Sequence, residues 1–176
     1  MKRGAGICMA IALATLVIAG CDKDDDDDAT TVNQTDIDFV RMASMSNFAE
    51  ISAGAIAANK AENEAIADYG QMMVTEHTTA SQQLKALAST LGLYAPDSLD
   101  AAHVALKDSL MTLTGPQFDS VYINSQVRDH QLAITLFQNE ANSGNHQDLR
   151  NFAETMLPHL QEHLEHADSL ANVANP

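Results

Sequence analysis

Tryptophan is absent from the 176-residue chain and aromatics make up only 5% of it, so large stacked rings cannot dominate its core. Hydrophobic content is nonetheless 45%, which points to alanine- and leucine-rich helices and is enough, at this length, for one domain with a real core. Basic residues are scarce: 9 Lys and Arg stand against 24 Asp and Glu, a formal charge of -15. So acidic a surface repels nucleic acid and anionic lipid headgroups. Cysteine occurs only at positions 8 and 21. The single long apolar run, 7–19, follows Lys2 and Arg3 at the front of the chain and is too short for an ordinary membrane-spanning helix.

That front stretch reads as a signal peptide, 1–20. Ile18-Ala19-Gly20-Cys21 resembles the lipobox of bacterial lipoproteins, which implies cleavage before Cys21 and lipidation of it. Cys8 then leaves with the signal and Cys21 is blocked, so no thiol remains for a disulfide, a zinc knuckle or a nucleophile. Histidine and carboxylate must carry any chemistry. The lipid supplies the expected membrane partner, and no motif names a protein partner or an oligomeric state. Residues 21–35, with the acidic run 22–28, read as a solvated tether. Lysine followed by acids just after the lipidated cysteine also resembles the surface-export signal of Bacteroidetes lipoproteins. Aspartate directly after that cysteine resembles instead the enterobacterial inner-membrane retention signal.

Residues 36–174 carry helical periodicity. An N-cap at Thr35 or Asp36 opens a first helix through 58, traced by Ile37, Val40, Ser44, Phe48, Ile51, Ala55 and Ala58. Further helices are expected over 62–91, 98–113, 117–142 and 146–172, with Gly92, Gly115-Pro116 and Ser143-Gly144-Asn145 as breaks and Pro158 as an internal kink. Two short joins make antiparallel hairpins, and the long third connection can run the length of a bundle. The expected fold is all-α: a ferritin-like four-helix bundle of two hairpins joined by a long crossover that contains a short extra helix. The hairpins also align with each other, pairing Tyr69 with Phe152, Met73 with Met156 and Glu50 with His130.

Three apolar stripes are each interrupted once, and each time by histidine. Ile66, Gly70, Met73, His77, Ala80, Leu84, Leu87 and Leu91 form one; Ile123, Val127, His130, Ile134, Phe137 and Ala141 the second; Leu149, Ala153, Met156, Leu160, His163, Ala167 and Leu170 the third. A single seam histidine is most simply a hydrogen-bonded core residue. Three of them need partners in the interior, because a buried polar group without one costs on the order of 2 kcal/mol. Shared metal, mutual bonding, a carboxylate or a wet pocket would each serve. Level arithmetic pairs His130 with His159 or His163, at about 1.5 Å of rise per residue. Glu50 lies among Ala43, Ser46, Ala53, Gly54 and Ala57, small residues that leave room for a carboxylate to point inward. Glu76 reads as a solvated neighbour or a partner for His77, while His103 and His146 need no functional explanation. The candidate metal ligands are therefore His77, His130, His163, Glu50 and His159, and the candidate cofactor is a single zinc, copper or iron ion. Glu-x-x-His occurs at neither His77 nor His163, which argues against a standard di-iron site.

Asp38-Phe39, Met72-Met73-Val74-Thr75-Glu76-His77, Gly115-Pro116-Gln117-Phe118-Asp119-Ser120-Val121-Tyr122, Asp129-His130 and Leu157-Pro158-His159-Leu160-Gln161-Glu162-His163-Leu164 closely resemble the bacterial domain of unknown function 4142. The resemblance spans roughly residues 36–170. It implies a ferritin-like bundle exported to the bacterial envelope, often described as an outer-membrane protein, with no established activity. It places the family's histidines at His77, His130 and His163 and leaves His159 as an addition of this chain. Two functions follow as expectations. The preferred one is an envelope-anchored lipoprotein acting as a non-enzymatic stress or interaction module with a histidine-containing core. The alternative is a transition-metal-binding protein with a redox or oxidative-stress role.

Overall fold

The computed structural model describes Met1 and residues 30–174, so the expected signal peptide, Cys21 and most of the acidic tether lie outside the described residues. Five helices follow in order: α1 Gln34–Lys60, α2 Glu64–Thr90, α3 Ala101–Thr112, α4 Gly115–Ser143 and α5 Gln147–Ala174. Asn33, not Thr35 or Asp36, caps α1. Its side chain accepts from Asp36 N at 3.0 Å while the Asp36 carboxylate accepts from Asn33 N at 2.6 Å, a reciprocal capping box. Asn63 caps α2 in the same role, and Gly92 takes φ +67° just past its end, as a helix-terminating glycine should. Helix α5 continues through Pro158.

Helix α1 pairs with α2 and α4 with α5, and α1 also packs on α4 and α2 on α5. Two contacts establish the direction of the α1–α4 pair. Asn33 at the start of α1 donates to the Ser143 carbonyl at the end of α4, and Lys60 at the end of α1 sits over the Phe118 ring near the start of α4, 5.4 Å from its centroid. The two are antiparallel, which requires the α2–α4 connection to travel the length of the bundle. It does so through α3, pinned by the Lys60 ammonium donating to the carbonyls of Leu110 and Met111 at 2.8 Å. The protein is thus an all-helical four-helix bundle of two hairpins with a crossover. Among the described residues no helix is long and apolar enough to cross a membrane.

The interior is stratified. One apolar core holds Phe39, Val40, Leu84, Phe137, Leu149 and Ala153; the other holds Ile66, Tyr69, Met73, Phe118, Tyr122 and Ile123. Each long helix passes from one core to the other, and on each a group of buried polar residues falls in between: Asn47 and Glu50, His77, Gln126 and His130, and His163. Tyr69 lies in one core and its aligned counterpart Phe152 packs on the other, as a two-fold relation between the hairpins requires.

The buried face of α1 differs from the expected stripe. Val40 and Ser44 are buried as expected, but Ile37 is 41% exposed and Ala55 is exposed, while Phe39, Ala43, Asn47, Glu50, Gly54 and Ala57 also turn inward. Helix α1 touches α2, α3 and α4 at once, so its small residues win the interior because they allow close approach. A Cβ added at Gly54 would lie 2.7 Å from the Gly70 carbonyl, and one at Gly70 would lie 2.9 Å from Ala58 N, so the two backbones nearly touch. On α4, likewise, Gln126 is buried where Val127 was expected.

Candidate metal centre

The three seam histidines meet. Their ring centroids form a triangle with sides of 5.7 Å (His77 to His130), 5.4 Å (His77 to His163) and 5.3 Å (His130 to His163). All three are buried, and one nitrogen from each lies within 4.8 Å of the other two.

Every ring is held from behind. His130 Nδ1 lies 2.9 Å from the Gln126 carbonyl oxygen, one turn back on its own helix. His77 Nδ1 lies 2.9 Å from Asn47 Oδ1 on α1, and His163 Nε2 lies 2.8 Å from Glu76 Oε2 on α2. Carbonyl and carboxylate oxygens only accept, so the nitrogen facing each of them carries the ring proton. The opposite nitrogen of a neutral ring then bears a lone pair. Those nitrogens are His77 Nε2, His130 Nε2 and His163 Nδ1, and each is buried with no protein hydrogen-bond partner.

Electrostatics keeps the rings neutral. Burial pushes the His77 pKa well below its ordinary value, and the neighbouring imidazoles push the same way. Burial also lowers the His130 pKa against the opposing pull of the Gln126 carbonyl and the Asp129 charge. For His163, burial again outweighs the raising effect of Glu76. Three lone pairs converging without a proton among them repel unless a positive centre joins them, and neutral imidazole is the form that ligates metals. An ion about 2.1 Å from each nitrogen needs them about 3.4 Å apart in a tetrahedral set, so closure requires side-chain shifts of at most about 1 Å.

The other expected ligands stand apart from this triangle. Glu50 is buried and points inward, but its carboxylate is not in the converging group. The hairpin register explains this: Gly54 opposes Gly70 and Asn47 opposes His77, so Asn47 rather than Glu50 shares the level of His77. Burial, and then the Asp129 charge, raise the Glu50 pKa to about 8, so the group is a neutral acid at pH 7. His159 is exposed; it lies about 100° round α5 from the inward Leu160. Glu76 orients His163 rather than His77. Asn47 carries no local signal, since its histidine partner lies on another helix, and the acceptor at Gln126 is a backbone carbonyl that any residue there would supply. His103 Nδ1 lies 2.9 Å from its helix-capping Asp100, and His146 N donates to Asp36 at the α4–α5 turn, both local structural contacts.

A family model decides the wider relationship, matching residues 22–170. The chain belongs to the Domain of unknown function (DUF4142) family. No curated protein matches it. Among solved structures, this DUF4142 chain is similar to the crystal structure of a DUF305 fragment from Deinococcus radiodurans, with a TM-score of 0.71 at 11% identity. That likeness covers 80% of this chain and 97% of the other, and at such low identity it speaks to the fold alone.

Proposed function

We propose that this DUF4142 protein binds one transition-metal ion through His77 Nε2, His130 Nε2 and His163 Nδ1, and that it does so as a lipid-anchored protein of the bacterial envelope. The observation that carries the metal reading is that each ring bonds one nitrogen to an acceptor outside the triangle and leaves the other buried without a protein partner, while one nitrogen from each ring lies within 4.8 Å of the other two. Metal-ligating histidines are oriented in this way, with a carboxylate or carbonyl behind the ring. Three imidazoles suit zinc, copper or iron. The geometry thereby favours the alternative drawn from the sequence over the preferred interaction module.

Metal analysis of untagged mature protein tests this directly. About one equivalent of transition metal is expected, with His130→Ala reducing it to background. Metal-free protein whose melting temperature ignores added zinc, copper and iron would remove the reading and leave the histidines as a hydrogen-bonded, pH-sensitive core.

A further inference from the structure

The three inward nitrogens are sealed from solvent, so an ion cannot reach them without a local opening. The structure provides one place for it. Helices α2 and α5 touch more sparingly than the two hairpin pairs, and a groove of about 240 Å³ lies on that side. Its lining includes His77 and His163 but not His130, together with Glu76, His159 and Met156.

The residues of this groove grade from exposed to buried. His159 is exposed, the Glu76 side chain is 46% exposed, and the His163 side chain is 8% exposed. His163 is also the one ring of the three held end for end: its Nε2 bonds to Glu76 and its Nδ1 is left without a partner, whereas His77 and His130 leave Nε2 without one. His159 sits one helical turn before His163 and close enough to act on its charge. Imidazole and carboxylate at the mouth of a groove, on a chain of net charge -15, attract and hold a divalent transition cation.

Resting on the metal reading above, we propose that the α2–α5 groove is the port of the site: His159 and Glu76 capture the cation, and the turning of His163 away from Glu76 lets it through. His159 is then a capture residue and not a resident ligand. A capture step lowers the barrier without changing the end states, so its loss must slow uptake and release by the same factor.

Stopped-flow absorption with Co²⁺ as the probe separates the outcomes, using the intact mature chain. His159→Ala is expected to slow Co²⁺ uptake about tenfold, the lower end of what local charge and ligand concentration add to an association rate. Release should slow equally and the saturating amount of Co²⁺ should stay the same. Ala80→Phe, which narrows the groove without removing a polar group, should slow both rates as well. Unchanged rates in both variants would overturn the port while leaving the metal site standing. Slower uptake with unchanged release would also overturn it, because His159 would then be a ligand in the final complex. Wild-type protein that takes up no Co²⁺ or Zn²⁺ would instead overturn the metal reading itself.

Discussion

Glu76 of α2 and His163 of α5 are joined at 2.8 Å across the loosest seam of the bundle, one half-exposed and the other buried. This bond sets which nitrogen of His163 carries the proton, and so whether its lone pair faces the centre. Glu76→Ala should weaken zinc affinity by about 10- to 100-fold, the usual effect of losing such a support. The stability of metal-free protein should fall by about 1–2 kcal/mol, because the buried His163 Nε2–H loses its acceptor. Calorimetric titration with zinc reads the first and urea unfolding the second; an unchanged zinc Kd would show that Glu76 does not orient the ring.

Zinc itself should stabilise the fold, since the triangle exists only in the folded chain. At a free concentration of about 100 times Kd the gain is about 2.7 kcal/mol, or some 5 to 10 °C in Tm for a domain of this size. His130→Ala should lose that rise altogether. A rise that persists in the variant would place the bound zinc elsewhere.

The α1–α2 hairpin depends on its glycine pair. An alanine methyl at Gly70 would meet Ala57 Cβ and Ala58 N at 2.9 Å, and neither can rotate away. Overpacking of this kind costs about 1–3 kcal/mol, more than the roughly 1 kcal/mol that alanine adds through helix propensity. Gly70→Ala should therefore lower the urea midpoint and, by shifting Asn47 from His77, weaken zinc binding. A higher midpoint would mean that the backbones separate at no cost.

Two opposed titrations shape the pH dependence of metal-free protein. The three histidines have folded pKa values below their unfolded ones, so the unfolded chain binds more protons and stability falls as pH drops below about 6.5. Glu50 behaves in the opposite sense. Its folded pKa is raised from 4.5 to about 8, so the folded state holds the extra proton and stability declines as pH rises from 4.5 to 8. Glu140, buried against Asp36, is raised to about 8 chiefly by burial and adds to the same slope. The histidine effect fades above pH 6.5, and between about pH 7 and 8 the carboxyl effect dominates. Glu50→Gln should flatten the fall in Tm across that interval, by an amount on the order of 1–2 kcal/mol. A slope unchanged by the substitution would show that Glu50 is already ionised.

Periodicity made the long helices and the inward stripes of α2, α4 and α5 legible, and Gly92 and Gly144 marked where α2 and α4 end while Gly115 opens α4. It held only in part on α1, where Val40 and Ser44 are buried as expected but Ile37 and Ala55 are exposed, Phe48 and Ile51 are half-buried, and Ala43, Asn47, Glu50, Gly54 and Ala57 come inward instead. A stripe identifies the inner face of a helix with one neighbour; α1 has three, and close packing favoured Ala43, Gly54 and Ala57. Asn47 and Glu50 came inward with them. For the same reason the partners of the histidines were out of view: Asn47 and Glu76 act across helix boundaries, and a one-residue change of hairpin register would have exchanged Asn47 for another side chain.

Residue order alone determined that this chain makes two hairpins with a crossover and that His77, His130 and His163 interrupt apolar stripes, because helical period and breaking residues are local properties. Tertiary structure alone decided that the three rings face one another at 5.3 to 5.7 Å, which nitrogen each presents, and that Glu50 and His159 stay outside the triangle. Those outcomes depend on the rotation and register of one helix against another, which are set by how small residues let backbones approach and by which acceptor lies behind each ring.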